Sequence, residues 1–264
     1  MSENPITIHV LPEVPPSVDK SIQNLTDLPT KGIGQTLADC WFLVFGGISK
    51  EAEKKRIKYA NELKKFEEEL KSSISSVPES VRKEPSSQVV LSALDNAKYC
   101  VEEKELRDLF TALLTSSIDS NQTVHPSFSY IIARMSPNDA KMLKIFPRQE
   151  CFPICDIALK SSSSTDFNVL ERNVFIDGPD TMSLEEKTLS ISSLISLGLL
   201  EIPAGLFLVD EGYSRFYESE PFLSFSMRYD RESLFLEKRT VQLSKLGKLF
   251  VSCCITKRIY CTTD

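Results

Sequence analysis

Glycine is scarce in this chain, nine in 264 residues. That leaves no glycine-rich phosphate loop and no dinucleotide fingerprint, both of which need glycines at fixed spacing. Histidine is scarcer, at two. His9 lies in a Pro-rich stretch and His125 directly precedes Pro126, so no His-Glu-x-x-His helix can be composed, and there is no nucleophile elbow either. His125 reads as a residue that satisfies backbone groups at a helix start, because no nucleophile is nominated beside it. Basic residues are outnumbered, 31 Lys and Arg against 37 Asp and Glu, for a net charge of −6. A protein built chiefly to hold phosphate backbones would show the opposite balance.

Cysteine offers little as a scaffold. The seven, at 40, 100, 151, 155, 253, 254 and 261, are odd in number and follow no secretory signal. They are expected to be reduced thiols in the cytoplasm. Cys151-x3-Cys155 with Cys253, Cys254 and Cys261 does not have zinc spacing, so neither metal nor cofactor is expected. Long hydrophobic runs are also lacking. The most apolar stretch, Gly32 to Ile48, has 17 residues and carries Gln35 and Asp39, short of the ~20 that span a bilayer.

What is present is mostly helical pattern. Residues 1–31 form a Pro-rich, extended leader in which Ile6, Ile8 and Val10 alternate like an edge strand. An apolar helix over 33–48 follows, holding the only tryptophan. One reading is a buried core helix or a helix packed in an oligomer. The sharper reading is a membrane or partner surface exposed on activation, made by Leu37, Trp41, Phe42, Val44 and Phe45. The basic residues Lys54, Lys55, Arg56 and Lys58 stand just after it and would suit anionic headgroups. Residues 49–77 predict a long charged helix with a narrow seam of Ile57, Ala60, Leu63, Phe66, Leu70, Ile74 and Val77. Such a seam pairs with another helix, in the same chain or a second one.

Pro78 and Pro85 bracket a break. Helices are then predicted from Ser87 through Val101, Glu102 to Ile118 and Pro126 to Met135. Ser136-Pro137-Asn138-Asp139 is a helix start: Ser caps, Pro occupies the first turn and Asp139 suits the positive helix end. The C-terminal part mixes types. Short strands are predicted at Ile154–Leu159, Leu199–Ile202, Gly205–Val209, Ser224–Tyr229 and Thr240–Leu243, and a loop at Ser161–Ser164. Leu184–Leu197 is a helix stopped by Gly198, and Ser244 caps a last helix from Lys245 to about Ile255.

That order predicts an α+β chain, mainly α. A helical domain over 32–147 precedes a winged-helix-like α/β unit over 148–264, with an insertion at 203–238. Residues 151–264 hold 12 Lys and Arg against 16 Asp and Glu, a poor supply of phosphate contacts. Lys238 and Arg239, near the expected wing, are the candidate contacts if nucleic acid is bound at all. A protein-binding winged helix is the better fit to the charge.

The run from Leu91 to Asp119, with Leu106, Leu109, Phe110, Leu113 and Leu114, and its continuation His125-Pro126, Phe128, Ile131-Ile132, Ser136-Pro137, Asp139-Ala140 and Leu143, resembles the abortive infection alpha family. The match is densest over 90–147, and the Leu197-Gly198-Leu199 and Leu243-Ser-Lys-Leu-Gly247 phrases also fit. The resemblance implies an antiphage role ending in arrest or death of the infected cell. It carries no catalytic residues. The expectation is therefore a cytoplasmic, non-enzymatic defence protein. It would work through a protein partner or homo-oligomer, with conditional membrane association, and nucleic-acid regulation is the alternative.

Overall fold

The computed structural model describes residues 33–45, 53–160 and 166–256. The leader, its candidate strand, the loop at 161–164 and Cys261 lie outside them. Helix α1 runs Ile33–Phe45, α2 Glu53–Ser75, α3 Ser87–Ala97, α4 Lys104–Ser117, α5 Phe128–Ala133 and α6 Pro137–Leu143. After them come strands β1 (Cys151–Lys160) and β2 (Phe167–Val174), helix α7 (Leu184–Ser196) and strand β3 (Leu200–Glu201). A 3-10 segment (Asp210–Glu218), α8 (Glu220–Ser226), β4 (Leu234–Leu243) and α9 (Lys245–Cys254) follow.

Helix α4 is the hub. Its apolar stripe of Leu106, Leu109, Phe110, Leu113 and Leu114 is buried, and so are Arg107, Thr111 and Ser117 on the remaining faces. A helix buried nearly all round must have neighbours all round. It contacts α2, α3, α5, α6 and α9. The seam of α2 settles against it: Leu63, Phe66, Leu70 and Ile74 are all buried. That seam is used within the chain.

The four strands form one antiparallel sheet in the order β2-β1-β4-β3. Alternate residues of β1 serve two separate cores. Phe152 and Ile154 join the large core shared with the helices, while Cys155 and Ile157 join a small one closed by Tyr213, Phe216 and Phe222. Burial on both faces makes β1 nearly continuously apolar rather than alternating.

Several sequence expectations change here. The 154–159 strand extends to Cys151–Lys160, with Pro153 inside it. Pro153 is tolerated because only β4 pairs there; β2 joins at Cys155, so the missing N–H breaks no second ladder. Strand β4 has ten residues where four were expected, and β2 was not foreseen. Its outer positions are exposed and it carries Glu171 and Arg172, charges that protect an edge strand and mask its alternation. Gly205–Val209 is not a strand: its Leu206 carbonyl accepts from Thr240 Oγ1 and its Leu208 N–H donates to Tyr213 Oη, both side-chain partners and no ladder. The expected strand at 224–229 is replaced by helix α8, which starts at an extended Ser219 with Pro221 in its first turn.

Two glycines are required. Gly198 has φ 75°, and Leu199 N–H reaches back to Leu194 carbonyl while Gly198 N–H reaches Ile195, closing α7 as a left-handed C-terminal stop. A Cβ at Gly247 would collide with the carbonyl oxygen of Leu199, so α9 can lie this close to the β3 entrance only with glycine there. Strands β3 and β4 do pair, at Leu200 with Leu243 and Glu201 with Gln242. They belong to the four-stranded sheet, so the architecture is mixed α/β and mainly helical.

Candidate functional site

The apolar helix α1 divides its five candidate residues. Leu37, Trp41 and Phe45 recur every fourth residue and therefore share one face. That face is buried, with Trp41 packed 4.7 Å from Phe45 and 5.7 Å from Phe66 between ring centroids. Val44 is partly buried against the same core. Phe42 points outward at 44% exposure, as does its neighbour Leu43 at 70%. Trp41 Nε1 is buried without a hydrogen-bond partner. Among the described residues, no helix is long and apolar enough to cross a membrane. Of the basic residues after α1, only the side chain of Lys58 is described, and it pairs with Glu102 at 2.7 Å.

Lys238 and Arg239 are both held by carboxylates. Lys238 Nζ lies 2.7 Å from Asp210 and 5.6 Å from the centre of the Tyr213 ring. Arg239 contacts the buried Asp156 carboxylate. Asp156 also accepts from the backbone N–H of Asn173 at 2.7 Å, where Asn173 adopts φ 54° at the irregularity of β2. The Arg239 contact ties β4 to β1, the Lys238 contact ties β4 to the 3-10 segment, and both engage the cations with carboxylates of the chain itself. His125 is engaged locally: Ser127 N–H donates to its Nδ1 at 3.2 Å, beside the start of α5.

The phrase around Ser136 is a joint. Ser136 Oγ accepts from Asp139 N–H, Asp139 accepts from Ser136 N–H, and Ser193 of α7 donates to the same carboxylate at 3.0 Å. A second joint is Arg107, whose guanidinium donates to Glu69 at 2.9 and 3.2 Å, Glu62 at 2.8 Å and the Val101 carbonyl at 2.7 Å.

Two features were missed from sequence. The segment 203–238 leaves Phe207 (63%), Val209 (77%) and Met227 (87%) exposed, although its Tyr213, Phe216 and Phe222 join Cys155, Ile157 and Val174 of the sheet in the small core. The second feature is a groove of about 740 Å³ between α2, α4 and the end of α9. Hydroxyl side chains line much of it, together with Cys253 and Cys254. Burial, then the neighbouring Cys253, pushes the Cys254 thiol well above its ordinary value, which keeps it protonated and poorly nucleophilic.

These features define a mainly helical, mixed α/β protein with Tyr213, Phe216 and Phe222 packed on one face of its sheet. Residues 58–254 match the abortive infection alpha family, and the chain belongs to that family. No curated protein and no solved structure matches it.

Proposed function

We propose that this protein acts in phage defence by pressing the insertion 203–238 against another protein, without bond-breaking chemistry of its own. Family membership supports the abortive-infection role. The observation that carries the mechanism is the exposure of Phe207, Val209 and Met227 on a segment anchored by a small core that it shares with the sheet. A folded insertion presenting large apolar side chains has the composition of an interface centre. Helix α7, the antiparallel β3–β4 pair and α9 support a winged-helix-like order with the insertion lodged between β3 and β4. On this reading the sheet presents the insertion, and the wing is a mount.

The test is plaque formation on a bacterial host expressing the chain. Phe207→Asp, Val209→Asp and Met227→Asp together should abolish restriction while changing stability by no more than about 0.5 kcal/mol per site, as surface substitutions do. Wild-type chain that restricts no phage, or a triple variant that restricts normally, sinks the reading.

Trp41 favours a second reading. Its orphaned indole N–H is a standing cost in the core, and an interfacial membrane position would hydrate it while keeping the ring apolar. In that case α1 leaves the core on activation. Liposome leakage by the activated chain should then fall in Phe42→Asp and Leu43→Asp; equal leakage, or none from the wild type, removes this branch. The nucleic-acid alternative predicts low-salt DNA retention weakened by neutralising Lys238 and Arg239. Their engagement by Asp210 and Asp156 places it third.

A further inference from the structure

The charges along the groove between α2, α4 and α9 already answer one another. Glu69 takes the Arg107 guanidinium at 2.9 Å, Asp108 takes Lys104 at 2.8 Å, and Glu68 lies 3.6 Å from Lys64. One further ammonium, Lys144, lines the groove. Against it stand the C-terminal ends of three helices, where Ser76, Ser116 and Ile255 form part of the wall. Each such end carries roughly half a negative charge. A strongly charged ligand of either sign would compete with pairs the chain already makes.

The hydroxyls, by contrast, are left in both states. Ser76 Oγ donates to the Ser73 carbonyl, Ser116 to Cys253 and Ser252 to Leu249, so these three keep lone pairs to offer. Thr115 has one proton and two acceptors in reach, the Thr111 carbonyl at 2.8 Å and Ser73 Oγ at 2.9 Å. When Thr115 serves the carbonyl, Ser73 is free to give its own proton to Thr115 or to a ligand. Ser72 lines the groove and bonds to none of the described residues, so it keeps its proton. Thr111 lines it at 8% exposure, and its Oγ1 has no hydrogen-bond partner. A buried orphan of this kind is costly unless something bonds to it.

A wall with spare protons at some positions and spare lone pairs at others is matched by groups that do both. A hydroxyl donates and accepts at one atom, whereas an ammonium only donates and a carboxylate only accepts. Among the described residues no aromatic side chain lines the groove, so a nucleobase has nothing to stack on. Leu109, Ala112 and Ile255 supply short apolar ground between the hydroxyls. The groove's size is within the range of small-molecule sites. We infer that this groove binds a small neutral carbohydrate, its hydroxyls exchanging hydrogen bonds with Ser72, Ser73, Thr111 and Thr115 and its C–H faces lying on Leu109 and Ala112. The site is independent of the partner surface proposed for 203–238, so either can fail alone.

Saturation-transfer NMR titration of the full chain with maltotriose and cellotriose is the test, run alongside triglycine and inorganic phosphate. Saturable binding is expected for at least one of the two sugars, and it should be the same at low and high salt because the ligand carries no charge to screen. Thr111→Val should weaken it by about three- to tenfold, the range of one hydrogen bond, and Ala112→Trp should abolish it by filling the groove. Ser72→Ala should weaken it more than Ser214→Ala, the same change on the 3-10 segment. Circular dichroism checks that each variant is folded. If Ala112→Trp is not, Thr111→Val and Ser72→Ala decide. Failure of both sugars to bind, triglycine or phosphate binding of equal strength, or equal affinities in Ser72→Ala and Ser214→Ala each overturn the inference.

Discussion

Helix α1 and the insertion 203–238 invert what their compositions suggest. Helix α1 is the most apolar stretch of the chain, yet its Leu37, Trp41 and Phe45 are buried in the main core. The insertion is mixed in composition but leaves Phe207, Val209 and Met227 to solvent. The difference lies in periodicity. Residues 37, 41 and 45 fall on one helical face that a neighbour covers, whereas 206–209 belongs to no helix and has no partner strand. Apolar content alone does not fix which residues stay exposed; whether a neighbouring element covers them does.

The largest effect that sharpens this contrast is on stability. Trp41→Ala should cost about 3–5 kcal/mol, the range for removing a large buried aromatic, read as a fall in the urea midpoint at unchanged slope. Phe42→Asp, one residue on and outward, should cost under about 0.5 kcal/mol. Similar losses at both positions would mean that α1 does not pack as described.

The next effect concerns the tie between α2 and α4. Arg107→Ala leaves Glu62 and Glu69 facing each other without their shared cation. Full burial would put the loss near 3–5 kcal/mol; Glu69 retains 35% side-chain exposure, so solvent screening reduces it to about 2–3 kcal/mol. The same substitution should leave the insertion's core intact, visible as unchanged amide protection around Tyr213 and Phe216 while α2 loses protection. Asp139→Ala removes a helix cap together with the Ser193 link, and should cost about 1–2 kcal/mol by thermal unfolding.

Much of the helical half was legible because its signals are local. The capping box at Ser136 and Asp139, the Gly198 stop and the stripe of α4 are each written within a few residues of where they act. The sheet was harder for a physical reason. Strand β1 is buried on both faces and gives no alternation, β2 is an edge strand with charges, and half of β4 lies within what reads as an insertion. Helix α8 did announce itself, through Ser219 and Pro221, but its Phe222 and Phe225 also fit a strand of aromatic residues. The groove had no sequence signal. Ser73, Thr111 and Ser252 look like ordinary helix-surface residues until three helices bring them together.

The smallest effect separates the two regions by pH. Glu62 on α2 has its carboxyl held below the ordinary range, first by the hydrogen bond from Lys65 and also by Arg107, with burial opposing. Glu186 at the start of α7 is held down by the Ser183 backbone N–H, the Ser183 hydroxyl and Asn138. A carboxyl whose folded pKa is depressed contributes stability that is fully present above the unfolded value of about 4.3. That contribution is lost as pH falls through the lower folded pKa, because the unfolded chain takes up its proton first. Glu62→Gln and Glu186→Gln should therefore each flatten the acid limb of the stability curve while changing nothing in its slope above pH 6. Lys238 gives the complementary case. Its ammonium is held above the ordinary range, first by the hydrogen bond to Asp210, so its contribution is present below the unfolded lysine value and is lost only as pH rises through the higher folded one. Lys238→Met should therefore change the alkaline limb of the stability curve. An alkaline limb unchanged in Lys238→Met would show that the Asp210 contact contributes nothing to folding.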